Sequence, residues 1–249
     1  MKVLLSCDEN PYYYDFWPFA RDIWKKRIGV EPQLVLISDT KSTDNFDSDG
    51  VLYVQKIEDV PIHLQAQLAR IYYTKYFPNE VCLISDIDMF PVSSDFFNVQ
   101  KIESNCDENT FFHLNPETRE FGQFPLCYYC GYGSLYERLF SNLSWEEFLR
   151  EIVNKDFNTD KFSFKLPPHL QGKKLWFSDE IFLHTQIQQE GIRICINNEL
   201  VGRRRLDREN IVNFDLLNLL NGSVVDIHLP RPVEKYKSEI EKIFWTLTI

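Results

Sequence analysis

Two aspartates one residue apart, Asp86 and Asp88, follow the apolar run Val81-Cys82-Leu83-Ile84 and precede Met89-Phe90-Pro91-Val92. Alternate residues of an extended segment point to one side, so the pair is expected to present its carboxylates together. The carboxyl end of a strand is where α/β sheets place ligands. Two like charges held close need compensation, and a hard divalent cation supplies it. Solvated turn aspartates are the plainer alternative, but such a turn is unusual between two apolar runs. His228 ends another apolar run, Val225-Asp226-Ile227-His228. A neutral imidazole there can complete a metal set of Asp86, Asp88 and His228; a surface or core histidine is the alternative.

Asp179 and Glu180 follow Leu175-Trp176-Phe177-Ser178. Carboxylates at a helix start are favoured by its dipole. They also suit a general base, or a stabilising charge facing a sugar or an acceptor hydroxyl. Ser6, Asp8 and Asn10 in the first turn, and Asp39 after the second strand, can hydrogen-bond a base or ribose. Asp and Asn also favour turns for their own sake. Arg70, on the helix before Asp86, and Arg231, three residues after His228, can reach a diphosphate. A salt bridge from Arg70, or the basic start of a last helix at Arg231, is the structural alternative. The run Arg203-Arg204-Arg205 reads as solvated, with an anionic acceptor or a membrane surface as its functional counterpart.

These residues need elements to position them. Lys2–Ser6, Gln33–Ile37, Val51–Val54 and Val81–Ile84 read as strands. A helix over Tyr13–Arg27, stopped by Gly29, and one from Pro61 to Tyr76 fall between them. This β-α-β-α-β order predicts an α/β fold with a mainly parallel sheet. Farther on, Phe111–Leu114, Leu126–Tyr132, Ile192–Ile196 and Ser223–Ile227 read as strands. Ser144 heads a capped helix, Ser178 reads as the N-cap of Asp179–Glu190, and Lys235–Phe244 is a terminal helix. Asn154–Lys174 reads as a long loop, a candidate lid or acceptor wall.

The 249 residues carry 27 Lys and Arg against 37 Asp and Glu, a net charge of −10. That balance argues against general nucleic-acid binding, which needs a basic face. With 44% hydrophobic and 26% charged residues, disordered, collagenous and coiled-coil chains are excluded. The 20 Phe, 12 Tyr and 5 Trp suit a thick core and pockets that stack on bases or sugars. No segment reaches the ~20 apolar residues of a membrane span. The start, Met1-Lys2-Val3-Leu4-Leu5-Ser6-Cys7-Asp8, runs into charge too soon for a signal peptide, so a cytoplasmic protein is expected. Cys127 and Cys130 have Cys-x-x-Cys spacing without a second pair, and all six cysteines are expected as free thiols.

In order, these pieces resemble a GT-A glycosyltransferase, most closely the glycogenin and lipopolysaccharide-galactosyltransferase type. The first block is Val3-Leu4-Leu5-Ser6-Cys7-Asp8-Glu9-Asn10-Pro11-Tyr12, similar to the family's uracil- and ribose-contacting turn. The second joins Ala69-Arg70-Ile71-Tyr72-Tyr73 to Val81-Cys82-Leu83-Ile84-Ser85-Asp86-Ile87-Asp88, resembling its arginine-bearing helix, strand and Asp-x-Asp. The third, Phe177-Ser178-Asp179-Glu180-Ile181-Phe182-Leu183, resembles its acidic helix start near the donor sugar. The fourth is His228 with its basic neighbours, resembling the late metal-binding histidine. Tyr129-Cys130-Gly131-Tyr132 resembles the glycine segment beside the donor sugar.

The resemblance implies a GT-A (Rossmann-like) domain over residues 1–249, with a nucleotide-binding half to about residue 95 and a donor-sugar and acceptor half after it. It implies a UDP-sugar donor, Mn2+ or Mg2+ held by Asp86, Asp88 and His228, and a glycan or other hydroxyl acceptor. Asp179 or Glu180 would act as base in an inverting reaction or support an oxocarbenium-like centre in a retaining one. A nucleotide-sugar-forming nucleotidyltransferase is an alternative, but needs a glycine-rich loop where Asp8-Glu9-Asn10-Pro11 stands. An aspartate-based phosphatase would carry its Asp-x-Asp on the first strand. A non-catalytic sugar-binding scaffold is the remaining class.

Overall fold

The computed structural model describes residues 1–114, 126–140, 142–155, 175, 177–197, 204–214, 216–220 and 222–248. Strand β1, Lys2–Asp8, carries the apolar run Val3-Leu4-Leu5, buried because both its faces are covered there. Val3, Leu5 and Cys7 enter one apolar cluster and Leu4 enters the other. The helical segment after it is broken. Helix α1, Pro11–Tyr14, is followed by α2, Trp17–Ile23, and a π-helical turn, Trp24–Ile28. The single helix expected over Tyr13–Arg27 is interrupted because Pro18 has no N–H to give to the preceding turn. It takes its place in the first turn of a new helix instead. Gly29, at φ 79°, closes the segment as expected.

Strands β2, Pro32–Ser38, and β3, Val51–Gln55, run parallel to β1 on one side, and β4, Val81–Ile84, on the other. Helix α3, Ile62–Tyr72, with a 3-10 turn over Tyr73–Tyr76, crosses between β3 and β4. The second half adds β5, Met89–Pro91; α4, Val99–Ser104; β6, Thr110–His113; β7, Tyr129–Tyr132; and α5, Gly133–Arg138. Then come α6, Trp145–Asn154; α7, Ser178–Gln189; β8, Arg193–Ile196; β9, Arg204–Leu206; β10, Val224–His228; and α8, Lys237–Thr248. The large sheet has seven strands in the order β3-β2-β1-β4-β7-β6-β8, with β7 antiparallel to both neighbours. This is the expected α/β class with a mainly parallel sheet. A small second sheet, β5-β10-β9, stands beside it.

Several expected boundaries shift for local reasons. Only Tyr129–Tyr132 of the strand expected over Leu126–Tyr132 pairs, because Tyr128 turns out of the strand at φ 70°. Ser178 is the first residue of α7 and not its cap; Phe177 holds the cap position without a side-chain bond. The terminal helix begins at Lys237, after a 3-10 turn over Glu234–Tyr236. Ser144 does cap α6, in a reciprocal box with Glu147. Most of the loop expected over Asn154–Lys174 lies outside the described residues, as does Arg203. All six cysteines are free. Among the described residues no helix is long and apolar enough to cross a membrane.

Candidate functional site

The sheet order reverses direction between β1 and β4, and at such a point the carboxyl ends of neighbouring strands open a crevice. Asp86 and Asp88 follow β4 directly into it. The extended geometry expected of Asp86-Ile87-Asp88 gives way to a turn closed by Met89 N–H on Asp86 C=O at 3.2 Å. The two carboxylates therefore take different partners. Immediately afterwards β5 pairs antiparallel with β10, matching Met89 to His228, and Leu229 N–H bonds Asp88 C=O at 2.9 Å. That register, set some 140 residues away in sequence, is what brings His228 to Asp88.

Asp86 belongs to a buried network centred on Arg70. The guanidinium, 7% exposed, donates to Asp86 Oδ1, to Ser85 C=O at 3.0 Å and to Asp179 Oδ2 at 3.4 Å. The Cys127 thiol donates to Asp86 Oδ2 at 2.6 Å. Burial pulls the Asp86 carboxyl upward, but the Arg70 charge and the Cys127 bond outweigh it and hold it well below the usual range. Asp179 fares differently. Its 3% exposure dominates over Arg70 and raises it to about 6. Glu180 is pushed up further by burial and then by the charges of Asp179 and Asp86. Its Oε2 is buried and has no hydrogen-bond partner. The crevice thus has a carboxylate held low, one raised to about 6, and one pushed up by burial and its acidic neighbours.

Asp88, 4% exposed, is the centre of a second cluster. Its Oδ2 lies 3.3 Å from Arg231 Nε, 3.4 Å from His228 Nε2 and 3.5 Å from Arg208 Nη2, yet accepts no hydrogen bond. Arg208 Nη2 also lies against the His228 ring, 3.2 Å from Nδ1 and in contact with Nε2. Burial lowers the His228 pKa, and Asp88 only partly opposes it, so the imidazole is neutral with a lone pair to offer. Arg231 donates to the Tyr13 hydroxyl and lies over the Tyr13 and Tyr12 rings, at 4.7 and 5.6 Å. A bare carboxylate oxygen beside a neutral imidazole fits a hard divalent cation. Among the described residues no three His, Cys, Asp or Glu side chains gather closely enough to hold one unaided.

The first-turn residues are more occupied with structure. Ser6 Oγ donates to Ala66 C=O in α3. Asn10 Oδ1 accepts from Tyr12 N–H at 3.0 Å and caps α1. Asp8 Oδ1 receives Asn10 N–H at 3.4 Å, and burial raises its pKa. Asp39 is exposed and pairs with Lys56 at 3.0 Å, while Glu9 joins the two turns through Ser38 Oγ and Asp39 N–H, each at 3.0 Å. The glycine segment lies in β7, where a Cβ on Gly131 would stand 2.4 Å from the Phe111 ring.

Three site residues escape the sequence reading. Arg208 lies beyond the basic run and nothing local marks it. Cys127 looks like one more buried thiol. Arg205 sits inside the run read as solvated, yet forks onto Asp226, 1% exposed, with Nη2 2.8 Å from Oδ2. The only signal was Asp226 itself, a charge inside an apolar strand that needs a partner.

No family model matches the chain, and no curated protein does either. Solved structures do. The galactosyltransferase LgtC, in complex with donor and acceptor sugar analogues, is 12% identical over 97% of this chain and 96% of its own, with a TM-score of 0.47. The apo form of the glycosyltransferase GlyE of Streptococcus pneumoniae TIGR4 is 10% identical over 99% of this chain, with a TM-score of 0.49; this chain spans 61% of it. A mutant Drosophila beta-1,4-galactosyltransferase 7, with manganese, UDP-Gal and xylobiose, is 11% identical over 80% of this chain and 65% of its own, at 0.41.

Proposed function

We propose that the chain is a metal-dependent GT-A glycosyltransferase that moves a sugar from a UDP-sugar to a hydroxyl of a glycan or other acceptor. The observation that carries this reading is the pairing of Asp88 with His228 at the switch point, beside the acid pair Asp179 and Glu180. In this reading the part up to about residue 95 holds the nucleotide, as the carboxyl ends of such strands do, and the rest holds sugar and acceptor. Asp88 and His228 would hold Mn2+ or Mg2+, with Asp86 joining them from across the turn. When bound, the cation supplies positive charge to the departing diphosphate. Arg231, held by the Tyr13 hydroxyl, would offer its guanidinium to the same oxygens. The Ser6–Asn10 turn and Asp39 offer polar groups to base and ribose, and exposed Tyr12 offers a ring face.

Arg70 is the positioning residue. It ties Asp86, behind the diphosphate, to Asp179, beside the sugar. An ionised Asp179 takes the acceptor's proton in an inverting reaction, or steadies an oxocarbenium-like centre in a retaining one. Glu180, its carboxyl pushed up by burial, can hydrogen-bond a sugar hydroxyl. Release of UDP from a panel of UDP-sugars, with Mn2+ and with or without simple glycosides, tests this. At least one donor should turn over, and Asp88→Asn should lose about 100-fold or more. Turnover that survives Asp88→Asn unchanged would exclude the metal role given to this aspartate.

A further inference from the structure

Arg208 stands where a cation shared by Asp88 and His228 belongs. Asp88 Oδ2 and His228 Nε2 are 3.4 Å apart. Two bonds of about 2.1 Å at a right angle, as an octahedral ion makes them, put their donors about 3 Å apart. The pair is thus already spaced for one shared positive charge, and Arg208 Nη2 touches both members. Asp86, Asp88 and Asp179 are faced by Arg70, Arg208 and Arg231, and a fourth carboxylate, Asp207, lies 3.8 Å from His228 Nδ1. Arg231 is anchored by the Tyr13 hydroxyl and two rings, and Arg70 by two carboxylates and a carbonyl. Among the described residues Arg208 has no such anchor beyond Asp88 and His228 themselves. It lies in the 3-10 turn Arg208–Asn213 outside the large sheet, and its side chain is 24% exposed.

We propose that Arg208 is a resident counter-ion that yields its place to the metal and turns to the diphosphate in exchange. This rests on the nucleotide-sugar reading above. A metal arriving alone must evict the guanidinium from Asp88 and His228 and leave its charge beside the metal's own. A diphosphate arriving alone draws Arg208 from Asp88 and leaves a buried carboxylate with Arg231 for its charge partner. Arriving together, each gives the other's displaced charge a partner, so the two ligands strengthen each other through this side chain.

The test is calorimetric titration of Mn2+ alone into the wild-type chain, Arg208→Gln and Arg208→Lys, followed by UDP at saturating Mn2+. Arg208→Gln should bind Mn2+ alone at least about 10-fold more tightly than wild type, and UDP with Mn2+ about 10-fold more weakly. Arg208→Lys, which keeps the charge as a compact ammonium, should move the same way by less. Should the glutamine variant fail to fold, the lysine variant carries the comparison. Unchanged or weaker Mn2+ binding in whichever variant is folded overturns the counter-ion role. UDP that binds the wild type with Mn2+ while the variants' Mn2+ affinity stays put refutes this inference alone. UDP that never binds the wild type refutes the transferase reading, and the Mn2+ comparison still judges Arg208.

Discussion

One guanidinium, that of Arg70, touches two acids whose protonation it sets apart. Asp86 bonds it most closely and stays ionised, whereas Asp179 receives a longer bond and lets burial win. The consequence has a sign. Asp179 is ionised above about pH 6 and protonated below it, so a reaction that needs its charge gains rate as pH rises from 5 to 7. A profile of kcat/KM for the best donor should show that rising limb, and Asp179→Asn should lower the rate and flatten the limb. A flat wild-type profile across this range would take Asp179 out of the chemistry. At this scale Asp86, Asp88 and His228 stand out in the sequence, because a carboxylate or imidazole ending an apolar strand is an anomaly, and Asp179 stands out as a carboxylate at a helix start after an apolar run. Arg208 and Cys127 do not, since each acts through a partner far along the chain.

The elements show where local rules decide and where they do not. Pro18 breaks the first helix by a rule readable from the sequence, which overrides the apolar spacing. The turn at Tyr128 follows no such rule. It places Cys127 on Asp86, and Tyr128 N–H bonds Ile84 C=O at 3.0 Å. Two substitutions probe the elements that carry the site. Gly131→Ala drives a methyl into the Phe111 ring between β7 and β6, and should destabilise the fold by about 1–3 kcal/mol in urea denaturation. Arg205→Ala strips the partner from an aspartate buried in β10, the strand that delivers His228. A loss of about 3–5 kcal/mol is expected by the same method. A loss under 1 kcal/mol for Arg205→Ala would show that the pair does not hold β10 in place.

For the molecule as a whole, the helices that separate β1 from β2 and β3 from β4 in the first 85 residues make a parallel sheet legible, since such a crossover returns the chain to the same end of the sheet. The pairing of β5 with β10 is not legible, because a three-residue strand carries too little pattern to name a partner so distant in sequence. That pairing nevertheless completes the site, by bringing a late histidine to an early aspartate.

The most direct measurement is calorimetric titration of UDP into the wild-type chain with and without Mn2+, with GDP and CDP as comparators. UDP should bind in preference to the other two, and tightly only with the metal. Absence of binding by any of the three nucleotides, at any Mn2+ concentration, would contradict a nucleotide-sugar site at the β1–β4 crevice.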